Sequence, residues 1–186
     1  ENGKAYLLSG KEWFVNPFDE TLASTYLVTK DNADYYFEGG GSSNILGASV
    51  GSGDFDNNGS LDLFIGAPGV SYSKSEEAGE VYVFYGEEFE EKKYFYVDYH
   101  NVTSVVHGER PDDWFGARAV RIDFDNDGFD DIAVSSRYSD NYDEDGVVEE
   151  SNVGQINLFL GGATPIGVET TVSGAAEDYI SRGDFI

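Results

Sequence analysis

The sequence lacks several residue types, and each absence narrows its chemistry. It contains no cysteine, which excludes disulfide bonds, zinc–thiolate sites and a thiol nucleophile. It has 11 lysines and arginines against 36 aspartates and glutamates, so its formal net charge is −25. Because like charges repel, this excess argues against nucleic acid or an anionic membrane surface as a partner. Cations are the partners that it favours.

Long apolar runs are also missing. No stretch reaches the roughly 18 apolar residues of a membrane span, so we expect no membrane insertion by this segment. The first residues, ENGKAYLL, lack the basic and apolar regions of a signal peptide. Methionine is absent even at position 1, and we therefore expect a mature or excised part of a longer chain. The hydrophobic content of 40% indicates a folded domain with a substantial core.

The chain repeats itself along its length. The stretch GDFDNNGSLDLFIGAP, residues 53–68, aligns with IDFDNDGFDDIAVSSR, residues 122–137, at a spacing of 69 residues. The later element GEVYVFYG, residues 79–86, aligns with GQINLFLG, residues 154–161, and has an earlier copy in GKAYLLSG, residues 3–10. We divide the sequence into the end of one unit (1–43), two nearly complete units (44–112 and 113–172) and the start of a further unit (173–186).

Each unit has the pattern of β structure. The predicted strands are short, rich in β-branched and aromatic residues and bounded by glycine, whereas helix-period stretches are scarce. About four strands per unit at a fixed spacing predict an all-β fold of four-stranded β-propeller blades. A β-sandwich is the alternative, but it does not explain why loop, strand and glycine recur in register. The clearest predicted strands are residues 61–65, 81–85, 92–101, 131–135 and 156–160.

The two copies of the acidic stretch have the ligand spacing of a calcium loop. Oxygen-bearing side chains at positions 1, 3, 5 and 9 can converge, glycine at position 6 permits the turn, and position 7 needs only its backbone carbonyl. Such a ring of hard oxygens suits Ca²⁺ better than Mg²⁺ or zinc. The predicted ligands are Asp54, Asp56, Asn58, Ser60 and Asp62 in the first site, and Asp123, Asp125, Asp127, Phe129 and Asp131 in the second.

The frame of these loops differs from an EF-hand. Position 12 is Ile65 in one copy and Val134 in the other, both in predicted strands, where an EF-hand needs a bidentate glutamate. The alternative is that Asp, Asn and Gly only form turns, but two copies in register favour two calcium sites. Asp130 falls between ligand positions, and we expect it to face solvent.

The same elements resemble the FG-GAP repeat of integrin α-subunit β-propellers. The first copy is also similar to the propeller region of glycosylphosphatidylinositol-specific phospholipases D. The resemblance implies a seven-bladed ring of which this chain is an incomplete part, with calcium in hairpin loops on one face and ligands bound on the other. The motifs that carry it are Leu46-Gly47, DFDNNGSLD, Ile65-Gly66-Ala67-Pro68 and GEVYVFYG, then Phe115-Gly116, DFDNDGFDD and GQINLFLG, with Ser135-Ser136-Arg137 in place of Gly-Ala-Pro.

These features predict an extracellular, calcium-binding propeller module that binds a protein or glycan ligand in adhesion and has no catalytic residues in this segment. The rest of the propeller would come from the same chain or a neighbouring one. One alternative is an accessory propeller domain of a secreted hydrolase such as a phospholipase of the kind named above. Another is a structural subunit of a cell-surface assembly.

Three smaller motifs are candidate functional residues that also have a simpler structural interpretation. Asn101, in Asn101-Val102-Thr103, is a candidate N-glycosylation site, which would accord with secretion. Arg182-Gly183-Asp184 matches the tripeptide that integrins recognise, but its interpretation as part of an opening strand is favoured. His100 and His107 have no partner that spacing singles out, and we interpret them as ordinary surface or strand residues.

Overall fold

The computed structural model describes residues 2–8, 28–71, 77–90, 92–98, 100–102, 104–142, 146–163, 165–166, 170–171 and 179–181. This part of the chain forms fourteen β-strands and one 3₁₀ helix, Gly86–Glu90, which confirms the all-β fold class. None of its helices is long and apolar enough to cross a membrane. The strands are β1 (Lys4–Leu7), β2 (Tyr35–Gly39), β3 (Ser49–Gly53), β4 (Asp62–Ala67), β5 (Glu80–Phe84), β6 (Tyr94–Val97), β7 (Ser104–His107), β8 (Phe115–Ile122), β9 (Asp131–Ser136), β10 (Asn141–Tyr142), β11 (Val148–Glu150), β12 (Gln155–Phe159), β13 (Thr170–Thr171) and β14 (Tyr179–Ser181).

Twelve of these strands form three sheets. The first sheet has the order β1-β2-β6, the middle sheet β13-β7-β5-β4-β3 and the last sheet β14-β12-β9-β8, while β10 and β11 form a separate hairpin. Neighbouring strands are antiparallel except in two pairs, β2 with β6 and β7 with β13. The four antiparallel strands of the middle sheet, and the four of the last sheet, are the propeller blades that the repeat predicted.

Equivalent strands occupy equivalent places in the three sheets. The strands β1, β5 and β12 carry the repeated element and pair with β2, β7 and β14 respectively. The strands β6 and β13 come later in the chain but add in parallel to the sheet that precedes their own unit. The boundaries of the sheets therefore differ from the boundaries of the sequence units. In the same way, β14 lies within 173–186 but pairs with β12 of the preceding unit. The division into units stays a prediction.

The three sheets pack on one another through two apolar cores. The side chains of β5 point alternately to opposite faces, so Tyr82 and Phe84 lie in one core while Val81 and Val83 lie in the other. Between the first and middle sheets, the rings of Phe37 on β2 and Phe84 on β5 have centroids 5.1 Å apart. Between the middle and last sheets, the core includes Phe55, Phe64, Phe115, Ile132 and Phe159.

Asp113 lies buried at the entrance to β8, with 6% of its surface exposed. Its backbone carbonyl accepts a hydrogen bond from the Tyr138 N–H, and Asn44 makes the equivalent bond to Gly69 at the entrance to the middle sheet. Burial raises the pKa of the Asp113 carboxyl to about 6, although the positive charge of Arg110 opposes the shift. Ionised Asp113 therefore destabilises the folded state.

Replacing Asp113 by the asparagine found at the equivalent position should remove this cost. The pKa of Asp113 is higher in the folded chain than in the unfolded chain, so protonation of this carboxyl favours the folded state. This stabilisation is fully present below about pH 4 and is lost as the pH rises through about 6. We expect Asp113→Asn to raise the free energy of unfolding by about 1–2 kcal/mol at pH 8 and to change it little at pH 4. Urea unfolding at the two pH values measures both numbers.

The control for this measurement is Asp112→Asn. Asp112 is exposed and has a positive φ of 64°, a conformation that asparagine also adopts. We expect its substitution to change stability little at either pH. An equal gain from Asp113→Asn at pH 4 and pH 8 would contradict the burial explanation.

Candidate metal centre

Two loops of the same backbone shape lie at equivalent places in the middle and last sheets. The first loop, residues 54–61, joins β3 to β4, and the second loop, residues 123–130, joins β8 to β9. A Cβ at the position 6 glycine of either loop would meet no atom within 4 Å, so the backbone conformation, not space, requires glycine there. The positive φ angles are those of Asn57 (53°), Gly59 (84°), Asn126 (59°) and Gly128 (93°).

The first loop brings three carboxylates together. One oxygen each of Asp54, Asp56 and Asp62 lies within 4.8 Å of the others. Two oxygens bound to one Ca²⁺ at about 2.3–2.6 Å are at most about 4.6–5.2 Å apart, so one ion can contact all three. The donors are all hard oxygens, which calcium prefers and zinc does not. The residues of the first loop therefore fit calcium.

The second loop brings together a different set of carboxylates. Asp123, Asp125 and Asp127, at positions 1, 3 and 5, are exposed and have oxygens within 4.8 Å of one another. Desolvation raises the pKa of Asp125, and the neighbouring negative charges of Asp127 and Asp131 raise it further. These carboxylates repel one another, which is the situation that a bound cation relieves.

The position 9 aspartates act as backbone clamps. Asp62 Oδ2 accepts a hydrogen bond from the Phe55 N–H at 2.8 Å, and its Oδ1 accepts one from the Gly86 N–H at 2.8 Å. Asp62 and Asp131 are both 1% exposed, and burial raises the pKa of Asp62 to about 6 although the two hydrogen bonds oppose the shift. Each clamp links the start of its loop to the glycine that follows β5 or β12. The equivalent donors to Asp131 are the N–H groups of Phe124 (2.6 Å) and Gly161 (2.9 Å).

Hydrogen bonds within the first loop hold its remaining predicted residues in place. The carboxylate of Asp54 accepts bonds from the N–H groups of Asn58 and Gly59, both at 2.9 Å. Asn58 Oδ1 accepts a bond from the Ser60 N–H at 2.7 Å. At position 7 of the second loop, the Phe129 N–H donates to Asp127 Oδ1 at 2.9 Å. Both loops are thereby curled around their position 5 side chain.

The expectation that Asp130 faces solvent is wrong. Its side chain is 18% exposed, and its Oδ2 accepts hydrogen bonds from the Asp54 N–H at 2.8 Å and from Arg121 Nη1 at 3.0 Å. Its own N–H donates to the Asp54 carbonyl at 3.1 Å. Asp130 therefore joins the two loops across the boundary between the middle and last sheets.

The smaller motifs lie outside the two loops. Asn101 is exposed, and its Nδ2 donates a hydrogen bond to Asp98 Oδ1 at 3.0 Å. Thr103, the third residue of its glycosylation motif, and Arg182-Gly183-Asp184 lie outside the described residues.

A polar cluster that the sequence did not single out lies between the first and middle sheets. His107 is 2% exposed, and its Nδ1 lies 2.8 Å from Glu80 Oε1, while the Tyr82 hydroxyl donates to the other Glu80 oxygen. Glu80 pairs with Ala67, at the end of β4 opposite to Asp62, so the cluster is remote from the loops. The alternation in GEVYVFYG, which puts Glu80 on the face of Tyr82, was the available signal.

The stacked sheets and their repeated loops define an all-β protein built of propeller blades. Residues 46–84 match the family model described as the FG-GAP repeat.

The chain is also similar to phosphatidylinositol-glycan-specific phospholipase D from three mammals. The Mus musculus protein is 33% identical over 92 residues, which is 49% of this chain and 11% of that protein. The Rattus norvegicus and Bos taurus proteins are 32% and 31% identical over 91 residues, again 49% of this chain and 11% of each relative. The chain thus spans only about a tenth of the length of these relatives, and the similarity concerns this segment.

The hydrogen bonds between Asp130 and Asp54 should contribute measurably to the free energy of unfolding. Asp130→Ala leaves the Asp54 N–H without its acceptor, and we expect a loss of about 1–3 kcal/mol in the free energy of unfolding. Arg121→Ala removes only an ion pair whose arginine is 54% exposed, and we expect a loss of at most about 1 kcal/mol. Urea unfolding of both variants tests this order. Equal losses would show that the exposed ion pair, and not the link to Asp54, is what Asp130 contributes.

Proposed function

We propose that this chain is part of an extracellular, calcium-binding β-propeller in which it acts as a non-catalytic module for binding a protein or glycan ligand. The observation that carries the proposal is the recurrence of one loop shape with three converging carboxylates in each copy. The FG-GAP repeat at residues 46–84 supports the same assignment.

In this proposal each loop holds one calcium ion. The first loop would use Asp54, Asp56, Asn58 and Asp62 with the carbonyl of Ser60, and the second loop would use the equivalent residues from Asp123 to Asp131. Calcium, when bound, neutralises the mutual repulsion of the carboxylates. The position 9 clamps connect each site to its strands, so binding at the loop stabilises the blade by mass action. Extracellular modules commonly hold calcium at about 10⁻⁴–10⁻³ M, so sites of this kind would need a high ambient calcium concentration.

Large apolar side chains are exposed on the two outer faces of the stacked sheets, which supports further blades as partners. Tyr6 of the first sheet is 40% exposed, whereas Tyr82, the equivalent residue of the middle sheet, is 1% exposed beneath the first sheet. Ile156 of the last sheet is 48% exposed, whereas its equivalent Val81 is 1% exposed beneath the last sheet. Blades from the same chain or a neighbouring one would cover both faces as the sheets described here cover each other.

A second candidate function is an accessory propeller of a secreted hydrolase. The observation that favours it is the identity of 33% with phosphatidylinositol-glycan-specific phospholipase D of Mus musculus. In that case the segment would remain non-catalytic, and the activity would belong to another part of the protein. An assay of the whole protein for hydrolysis of glycosylphosphatidylinositol anchors distinguishes the two candidates.

Calcium should stabilise the chain. At a free calcium concentration tenfold above Kd, each site adds about 1.4 kcal/mol, which corresponds to a rise in Tm of about 3–6 °C for a chain of this size. We expect chelation to reverse this rise, as measured by scanning calorimetry. If excess calcium and chelator give the same Tm, the loops are only turns and the proposal is wrong.

The double variant Asp125→Ala with Asp127→Ala should abolish the contribution of the second site. We expect its Tm in calcium to fall by about 3–6 °C, the share of one site. The charge-matched control is Glu149→Gln with Glu150→Gln, since both residues are exposed on β11 and lie outside the loops. An equal fall in the control would mean that net charge, and not the loop, sets the response.

A further inference from the structure

Asparagine is followed directly by glycine at two places in the chain, Asn2-Gly3 and Asn58-Gly59. Because glycine has no side chain to shield its backbone nitrogen, this nitrogen can attack the amide carbon of the preceding asparagine. Asparagine counts among the thermolabile residues of proteins. Asn58 and Gly59 are both exposed, at positions 5 and 6 of the first candidate calcium loop.

Hydrogen bonds hold both reacting groups of this pair in the closed loop. Asn58 Nδ2 donates to Asp56 Oδ2 at 3.0 Å and to Glu87 Oε1 at 2.5 Å. The Gly59 N–H donates to Asp54 Oδ2 at 2.9 Å. The glycine nitrogen thus has its proton directed at a carboxylate, and the amide is fixed by two others. Attack of the nitrogen on the amide therefore requires a local opening of the loop.

The carboxylates that hold this pair are also proposed calcium ligands. Asp54, Asp56 and Asp62 have oxygens within 4.8 Å of one another, so their repulsion opposes the closed loop when no cation is bound. An ion that binds only the closed loop lowers the open fraction by mass action. Calcium should therefore control how often the Asn58 amide becomes available for reaction.

We propose that Asn58 is a deamidation site whose reaction calcium suppresses. This inference rests on the proposed calcium function. The Gly59 nitrogen forms a bond to Asn58 Cγ, the Cγ–Nδ2 bond breaks, and the proton of the Gly59 nitrogen leaves with Nδ2 as ammonia. The product is a five-membered cyclic imide. Water then opens the imide at one of its two carbonyls and leaves either aspartate or isoaspartate at position 58.

The two products change the first loop differently. Aspartate at position 58 gives this loop the charges of the second loop, in which position 5 is Asp127, and the number of charged ligands tunes calcium affinity. Isoaspartate adds one carbon to the backbone before Gly59, which displaces the turn at position 6 and the carbonyl at position 7. A first loop that stays without calcium would therefore be converted into a different site.

The test follows the conversion of Asn58 over time in the folded chain, by mass spectrometry of its peptides. Asn2-Gly3 lies outside the loops and reports calcium-independent conversion in the same sample. At a free calcium concentration tenfold above Kd, we expect Asn58 to convert about tenfold more slowly than in chelator, since only about one loop in eleven is then free of the ion. The rate at Asn2 should be the same in both conditions.

The matched variants are Asp56→Ala and Asp125→Ala, which remove the position 3 carboxylate from the first and the second loop respectively. We expect Asp56→Ala to abolish the calcium effect on Asn58 and Asp125→Ala to preserve it. If Asn58 stays intact in chelator while Asn2 converts, the fold alone protects it and the assignment is wrong.

The response of Tm to calcium separates this inference from the proposed function. If calcium raises the Tm but leaves the rate at Asn58 unchanged, the inference is wrong and the calcium function stands. If calcium changes neither the Tm nor the rate, the proposed function is wrong and calcium control of Asn58 falls with it.

Discussion

The buried carboxylates of Asp62 and Asp131 impose the constraint on which the rest of this structure depends. An ionised carboxylate removed from water must be hydrogen-bonded, and each of these accepts two backbone N–H bonds, one from the start of its loop and one from the end of a strand. Loop and strands are therefore fixed relative to one another before any ligand is considered. The convergence of the other acidic side chains follows from that fixed frame.

Much of the fold was predictable because its signals are local. Short runs around Phe64, Val83 and Val134, rich in β-branched and aromatic residues, are strands, and glycine at positions 59 and 128 has the positive φ that a tight loop requires. The register of the two acidic stretches predicted loops of one shape, and these loops do have the same pattern of backbone angles. Nothing beyond periodicity and turn chemistry was needed for these features.

The contacts that the sequence could not predict join residues that lie far apart in the chain. Asp130 meets the backbone of a residue 76 positions away, Glu87 meets Asn58 across 29 positions, and Glu80 meets His107 across 27. Alternation indicates the face of a strand on which a side chain lies, but not the partner that the opposite sheet or loop provides. Asp130, Glu80 and His107 are charged or titratable, so composition alone favoured a solvent-exposed interpretation of them.

Because β6 pairs in parallel with β2, and β13 with β7, each sheet contains a strand from the following sequence repeat. The repeat in the sequence and the folded sheet therefore have different boundaries. The first sheet contains residues 94–97, which follow β5 of the middle sheet in the chain. During synthesis, the first sheet cannot be completed until most of the middle sheet has left the ribosome. Neighbouring blades should therefore fold as an overlapping pair, and a chain cut at a repeat boundary would remove an outer strand from the blade that it was meant to preserve.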